Sequence, residues 1–137
     1  MGKMLSCGIV GQPLEAEKVM SENPDIIIKW PSSSKIENCG YESDDPSDFQ
    51  ALRESIMNRP ELSRVSAVEN ECTYIIYASL TAGLVQPVGV AYYAKWFHPE
   101  LFEDLDPQGI HQEFLTEYQG LDYDLDEHGV FVYPDAE

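Results

Sequence analysis

The chain is short of positive charge. Against 25 Asp and Glu it sets only 8 Lys and Arg, a net charge of −17 over 137 residues. Such a field repels the phosphates of duplex or single-stranded nucleic acid, so nucleic-acid partners are excluded. Anionic membrane surfaces are repelled for the same reason. The excess of acid fits a solvent-exposed protein and only weakly favours a cationic partner. Cysteine is sparse. Cys7, Cys39 and Cys72 form no CxxC and are odd in number, so they cannot complete a disulfide set. One bridge or free thiols both fit. Long apolar runs are absent too. The stretch from Leu84 to Phe97 is too short and too interrupted to span a bilayer. The start, "MGKMLSCGIVGQ", has no apolar core of the kind a secretory leader needs. As written, the chain is expected to be soluble in the cytoplasm, with no membrane insertion.

Catalytic signatures are also lacking. There is no GxSxG nucleophile elbow and no Gly-rich phosphate loop. His98, His111 and His128 stand in no HExxH and have no Cys at ligand spacing, so surface or capping positions are expected for all three, and no metal site. In "DYDLDEHGVFVY", Asp122, Asp124 and Asp126 match the first three ligand positions of a calcium loop. Glu127 then stands where the loop needs Gly, and Tyr133 where it needs a bidentate Glu. A solvated acidic tail is the better reading. No catalytic residue is assigned.

What is present is a globular pattern. Apolar residues make up 43 % of the chain, close to the usual share, and the length suits one domain. Pro13 and "LEAEKVMSE" read as a helix with acids in its first turn, stopped by Asn23-Pro24. "DIIIKW" then reads as a strand buried on both faces. A turn-rich loop runs from Pro31 to Asp48, and Asp45-Pro46 opens the next helix. In that helix Phe49, Leu52, Arg53 and Ile56 share one face, three of them apolar. "CTYIIYASL" is the second clear strand. A helix follows from about Pro87 to Phe97, with Val88, Ala91, Tyr92 and Lys95 at helical spacing. The aromatics Tyr92, Tyr93, Trp96 and Phe97 read as core. Asp106-Pro107 caps a last helix whose inner face is read as Ile110, Phe114, Leu115 and Tyr118, with Gly120 at its end. A strand over Val130 to Tyr133 completes the order. Between the last two helices lies "AKWFHPELFEDLDP". It reads as a corner in which His98-Pro99 stops one helix, Leu101 and Phe102 tuck beneath, and Asp106-Pro107 starts the next. Buried strands alternating with helices predict a layered α/β/α unit with a small, mostly parallel, Rossmann-like sheet. In such a sheet ligands bind at the carboxyl ends of the strands. That points to the Ser32–Ser34 loop and to the loop holding Ser79, Thr81 and Gly83.

"NPDIIIKW", "LSRVSAVENECTYIIYASL" and "PVGVAYYAKWFHPELFEDLDPQGIHQEFLTEYQG" together resemble one family. They are similar, in order and spacing, to the C-terminal lobe of substrate-binding proteins of ABC importers for iron-siderophore complexes, haem and cobalamin. The likeness is closest to archaeal members described as iron(III) transporters, and it runs from about residue 13 to 134. It implies a non-catalytic ligand receptor of two α/β lobes, of which this chain carries one and lacks the N-terminal lobe. Residues 1–12 are then a leader or remnant, 13–121 the lobe, and 122–137 an acidic tail. The family's first strand of this lobe is expected to be missing, which leaves a bare sheet edge and implies a homodimer. The resemblance places Trp30, Ser32, Ser33, Ser79, Thr81, Gly83, Val85 and Gln86 along the ligand cleft. Where relatives often have Gly-Pro-Arg, this chain has Gly83-Leu84-Val85, which removes a cation for an anionic ligand. Glu17 falls on the acid that faces the permease in the family. No covalent cofactor is implied; the possible ligands are an iron-siderophore, haem or cobalamin, and the partner is the ABC permease. Full-length relatives work outside the cell or at its surface. The readings set beside this one are an acidic α/β interaction protein and a small α/β hydrolase.

Overall fold

The computed structural model describes residues 4–6, 15–31 and 39–134. Its elements are β1 (Met4–Ser6), α1 (Ala16–Glu22), β2 (Ile26–Lys29), α2 (Ser47–Met57), α3 (Ser66–Glu69), β3 (Thr73–Ile76), α4 (Gln86–Phe97), α5 (Pro107–Glu113) and β4 (Val132–Tyr133). The four strands form one sheet in sequence order. β1, β2 and β3 run parallel, and β4 closes the far edge antiparallel to β3. This is the expected α/β unit with a mostly parallel sheet.

Alternation along the strands divides the core. Ile26 and Ile28 of β2 join Ile76, Leu80, Val88, Tyr92, Trp96 and Leu115 on the face covered by α4 and α5. Ile27 points the other way and packs against Val19, Leu62, Val65, Ala67 and Val68. Ile75 meets Phe49 and Val130 on that same opposite face. Both sheet faces are therefore covered, as parallel strands require. The continuous apolar run of β2 signalled this, although Ile27 and Lys29 are only half-buried.

The local signals explain most boundaries. Asn23 ends α1 in a left-handed conformation, and its Oδ1 accepts the Ser66 N–H at 2.9 Å, tying α1 to α3. Asp45 Oδ1 accepts the Ser47 N–H at 2.9 Å, and Asp106 Oδ1 accepts the Gly109 N–H at 3.0 Å. Asp106 is the side-chain N-cap of α5, whereas Asp45 stands one residue before Pro46, the N-cap of α2, and holds the first N–H of that helix. Arg53, the polar member of the α2 stripe, donates from Nε to the Thr73 carbonyl and from a terminal nitrogen to the Glu71 carbonyl, at 2.7 and 2.9 Å. The start of the first helix at Pro13 lies outside the described residues.

Four expectations give way. The edge beside β2 is not bare, because Met4–Ser6 lines it in register with Ile26–Ile28. The reason for expecting a homodimer through that edge goes with it, and the segment read as a leader contributes a strand. Leu101 and Phe102 do not tuck under the corner; they are 74 % and 38 % exposed. The corner closes on its own backbone, with Leu101 N–H and Phe102 N–H both donating to the His98 carbonyl. Ile110, Phe114 and Leu115 of the expected stripe do pack on the core, and the deepest positions of α5 are Pro107 and His111. A π-helical turn over Phe114–Tyr118 then rotates Tyr118 out to solvent. His111 is accordingly buried rather than on the surface.

None of the described helices is long and apolar enough to cross a membrane. Cys39 and Cys72 are free thiols, and Cys7 lies outside the described residues.

One contact sets the height of α4 above the sheet. A β-carbon placed on Gly89 would lie 2.3 Å from the Leu80 carbonyl oxygen, so only glycine lets the helix rest on that backbone. Gly89→Ala is expected to cost about 1–3 kcal/mol through overpacking, read as a lower urea midpoint with an unchanged slope. A midpoint equal to that of the parent would show that α4 can lift off without loss.

Candidate functional site

The carboxyl ends of β2 and β3 lie side by side because the two strands are parallel neighbours. From β2 the chain passes directly into Trp30. From β3 it passes through two short 3-10 turns, Ala78–Thr81 and Gly83–Val85, into α4. The turns rest on α4, with Leu80 and Val88 buried together and Val85 packed against the same cluster. Trp30 reaches the same helix: its Nε1 donates to Tyr93 Oη at 3.3 Å. Burial raises the Tyr93 pKa, with the Trp30 hydrogen bond acting against that rise. The hydrogen bond holds the indole in place while leaving it 39 % exposed.

The residues expected to line a cleft are thus partly brought together. Trp30, Ser79, Gly83 and Gln86 are exposed, and Thr81 and Val85 are half-buried. Thr81 Oγ1 donates inward to the Ala78 carbonyl at 2.7 Å. Gly83 has a positive φ of 70° and nothing near its α-carbon on the side-chain side. Ser32 and Ser33 lie outside the described residues. Glu17 is exposed on α1, in the helix layer on the opposite face of the sheet. Leu84, inside the loop expected to line the cleft, is 82 % exposed, and two residues were not anticipated as part of this wall: Val90, 55 % exposed, and Tyr93. A signal for them was present. From Thr73 to Ala94 no residue is charged, in a chain where 24 % are. A buried strand and a buried helix stripe account for part of that run. They do not account for Leu84 and Val90, which face water without a polar group.

A concavity lies elsewhere. A groove of about 810 Å³ runs between α5 and residues 120–126, lined by Asp106, Asp122, Asp124, Asp126, Gln108 and Gln112 among others. Its polar groups hold one another. Gln112 donates to the Tyr123 carbonyl and accepts the Leu125 N–H, Gln108 donates to Asp126, and Asp124 accepts the Asp126 N–H. They are the stitches that bind the tail to α5. Among the described residues no three His, Cys, Asp or Glu side chains converge as a metal site.

The same tail is pinned to residues 40–45. Gly40 and Val130 exchange backbone hydrogen bonds, and Asp44 accepts the Gly129 N–H at 2.9 Å and meets His128 Nδ1 at 3.1 Å. The Gly129 N–H, followed by His128, lowers the Asp44 pKa, and Asp44 raises that of His128. Beneath this latch Tyr41 Oη and His111 Nε2 are 2.7 Å apart, with Phe131 edge-on to both rings. Burial pushes the His111 pKa down to about 4.

No family model matches the sequence, and no curated protein matches it. Solved structures do. The TroA-like periplasmic binding protein FepB from Veillonella parvula superposes with a TM-score of 0.73 and 28 % identity, over 88 % of this chain and 35 % of its own. CeuE of Helicobacter pylori in a Ni-His complex gives a TM-score of 0.56 and 23 % identity, over 80 % of this chain and 31 % of its own. CeuE with Ni(II) bound gives 0.56 and 22 %, over 81 % and 32 %. The chain spans about a third of the length of these binding proteins. Its fold is that of part of a TroA-like periplasmic binding protein.

Neutral His111 makes folding pH-dependent. Its folded pKa lies below the ordinary value of 6.5, so between those two values the unfolded chain binds more protons. Stability contributed by this residue is complete above about pH 6.5 and is lost as pH falls towards 4, on the order of 3 kcal/mol in all. Relief of acid–acid repulsion works in the opposite direction, so the readout is a difference between proteins. Urea midpoints of the parent should fall relative to those of His111→Gln over this pH window. Parallel pH profiles for the two would refute a buried neutral histidine.

Proposed function

We propose that the chain is the ligand-capturing lobe of a binding protein that delivers its cargo to an ABC permease. The cargo class is an iron complex or a related metal-containing macrocycle, and the setting is outside the cell or at its surface. One observation carries the proposal: exposed apolar side chains, with no charged residue from Ala78 to Val90, stand at the carboxyl ends of two parallel strands, where ligands of open α/β sheets bind, on a fold that matches a periplasmic binding protein over 88 % of this chain.

The chemistry is capture. A ligand resting on Trp30, Leu84 and Val90 loses water from its own apolar surface and from theirs, gaining about 25 cal/mol per Å² buried. Ser79 and Gln86 supply neutral polar groups at the margin to orient it. Binding sites commonly bury most of a ligand's surface. One wall cannot do that, so the facing surface must come from a second lobe. Glu17 is the acid that would meet a basic group on the permease.

Ferric siderophore, haem and cobalamin, each titrated against tryptophan emission, test the proposal. Trp30 is half-exposed and Trp96 is buried, so the two respond differently. The expected result is saturable binding weaker than about 1 µM, or roughly −8 kcal/mol, with an affinity that falls at least several-fold in Trp30→Ala, where the neighbouring Trp96 still reports. An affinity unchanged by that substitution would place the ligand elsewhere. Tight binding through Trp30 would overturn the need for a second wall.

A further inference from the structure

We infer that the outer face of α4 is where two copies of this chain pair, helix against helix, antiparallel about a two-fold axis. This surface is not the sheet edge that β1 lines, and it shares only Val90 with the wall at the strand ends. The inference therefore goes beyond the proposed function and does not rest on it. α4 is apolar nearly all round, with Lys95 its one charged residue, and a helix of that kind is normally covered on both sides. Its sheet side is covered: Val88, Gly89, Ala91, Tyr92 and Trp96 are buried. Its outer side is not. Pro87 and Val90 are exposed, and Ala94 and Phe97 are half-buried. These four follow one another at steps of three, four and three residues, the seam of a paired helix. Just past the helix end, Leu101 and Phe102 stand exposed on the turn that closes on the His98 carbonyl. Scattered exposed apolar residues are ordinary; a continuous strip of them marks an interaction surface.

The strip is its own complement. Its positions fall almost evenly about Ala94: Val90 four residues before and Phe97 three after, Pro87 seven before and Leu101 seven after. Two copies laid antiparallel, with Ala94 at the axis, set Phe97 of each against Val90 of the other, as an isologous contact requires. A residue as small as Ala94 lets the helices approach closely where they cross. Charge fixes the direction. Glu100, Glu103 and Asp104 follow the helix, whereas no residue from Thr73 to Ala94 is charged. A parallel pair would bring the two groups of acids together. An antiparallel pair sets each group against the partner's uncharged helix start, the positive end of its dipole. Lys95 stands one step round from Ala94, off the seam. Two chains of net charge −17 still repel one another at a distance, so the pairing is one that salt uncovers.

Sedimentation equilibrium on the whole chain tests the pairing, in about 0.5 M NaCl so that repulsion between the acidic chains is screened. The expected result is a reversible dimer that forms within about 1–100 µM protein. Val90→Glu sets a carboxylate against the partner's Phe97 and should weaken the dimer at least about tenfold. Met20→Glu alters an apolar residue of α1, 46 % exposed on the opposite face of the sheet, and should leave the dimer unchanged. Direction has its own check. Pro87→Glu and Leu101→Lys, both at exposed positions, should each weaken the dimer, and a mixture of the two should pair more tightly than either alone. Only an antiparallel arrangement brings positions 87 and 101 together. Circular dichroism confirms that each variant is folded. A chain that stays monomeric at about 0.5 mM would overturn the inference and leave the strip to a different partner or another segment of chain. A dimer that Val90→Glu leaves intact would overturn it equally. A mixture no tighter than its components would overturn the antiparallel arrangement.

Discussion

The contact of Gly89 with the Leu80 carbonyl fixes the working end of the molecule. It brings α4 down onto the turn that leaves β3, closer than any side chain would permit. Val88 then reaches Leu80, Tyr92 and Trp96 reach the sheet, and Tyr74 stacks on Trp96 with ring centroids 4.5 Å apart. Tyr93 follows, one helical step round, at the height where Trp30 leaves β2. Raise the helix by the thickness of a methyl group and the Trp30–Tyr93 hydrogen bond, the buried Leu80 and the exposed lip at Leu84 all lose their footing together. The wall is in this sense a property of the packing of one helix on one turn.

Much of the fold was legible in the sequence because its signals are local. Asp45-Pro46, Asp106-Pro107 and Asn23-Pro24 mark helix ends through hydrogen bonds made within a few residues, and the structure shows those bonds. The β-branched run Ile26–Ile28 and the "TYII" of β3 are strands that only a covered sheet can use. The parts that were not legible depend on distant partners. Met4–Ser6 is three residues long, too short to carry a period of two, and becomes a strand only because β2 offers an edge. His111 sits one residue from an apolar stripe that spacing alone favoured. It is buried because Tyr41 and Phe131, far away in sequence, close over it. Leu101 and Phe102 look like core residues by composition, yet the corner closes through backbone bonds to the His98 carbonyl and leaves both side chains exposed.

The candidate site shows the same division. Ser79, Thr81 and Gly83 could be placed near the strand ends by topology, since a parallel sheet puts its carboxyl ends on one side, and Trp30, Val85 and Gln86 were added by the family resemblance. Which of them face outward could not be read. Thr81 turns its hydroxyl inward and Val85 joins the core, whereas Leu84, between apolar neighbours in sequence, projects into water. The uncharged run from Thr73 to Ala94 was visible from the start. Its meaning was not, because a buried helix and an exposed neutral surface look alike until exposure is known.

That distinction also decides between the groove and the wall. The groove is lined by four aspartates, and a first glance at its volume of about 810 Å³ would favour it. Its carboxylates and amides, however, form hydrogen bonds to one another and to backbone groups of α5 and the tail, so a ligand entering would compete with bonds that hold the chain together. At the strand ends the balance is reversed. The Trp30 indole and the Thr81 hydroxyl are bonded within the chain, and apolar surface at Leu84 and Val90 is left facing water, which is unfavourable for a protein that gains nothing by covering it. A surface kept in that condition, beside strand ends and free of the acid that coats the rest of the chain, is the one with free energy to gain from a second wall and a ligand between.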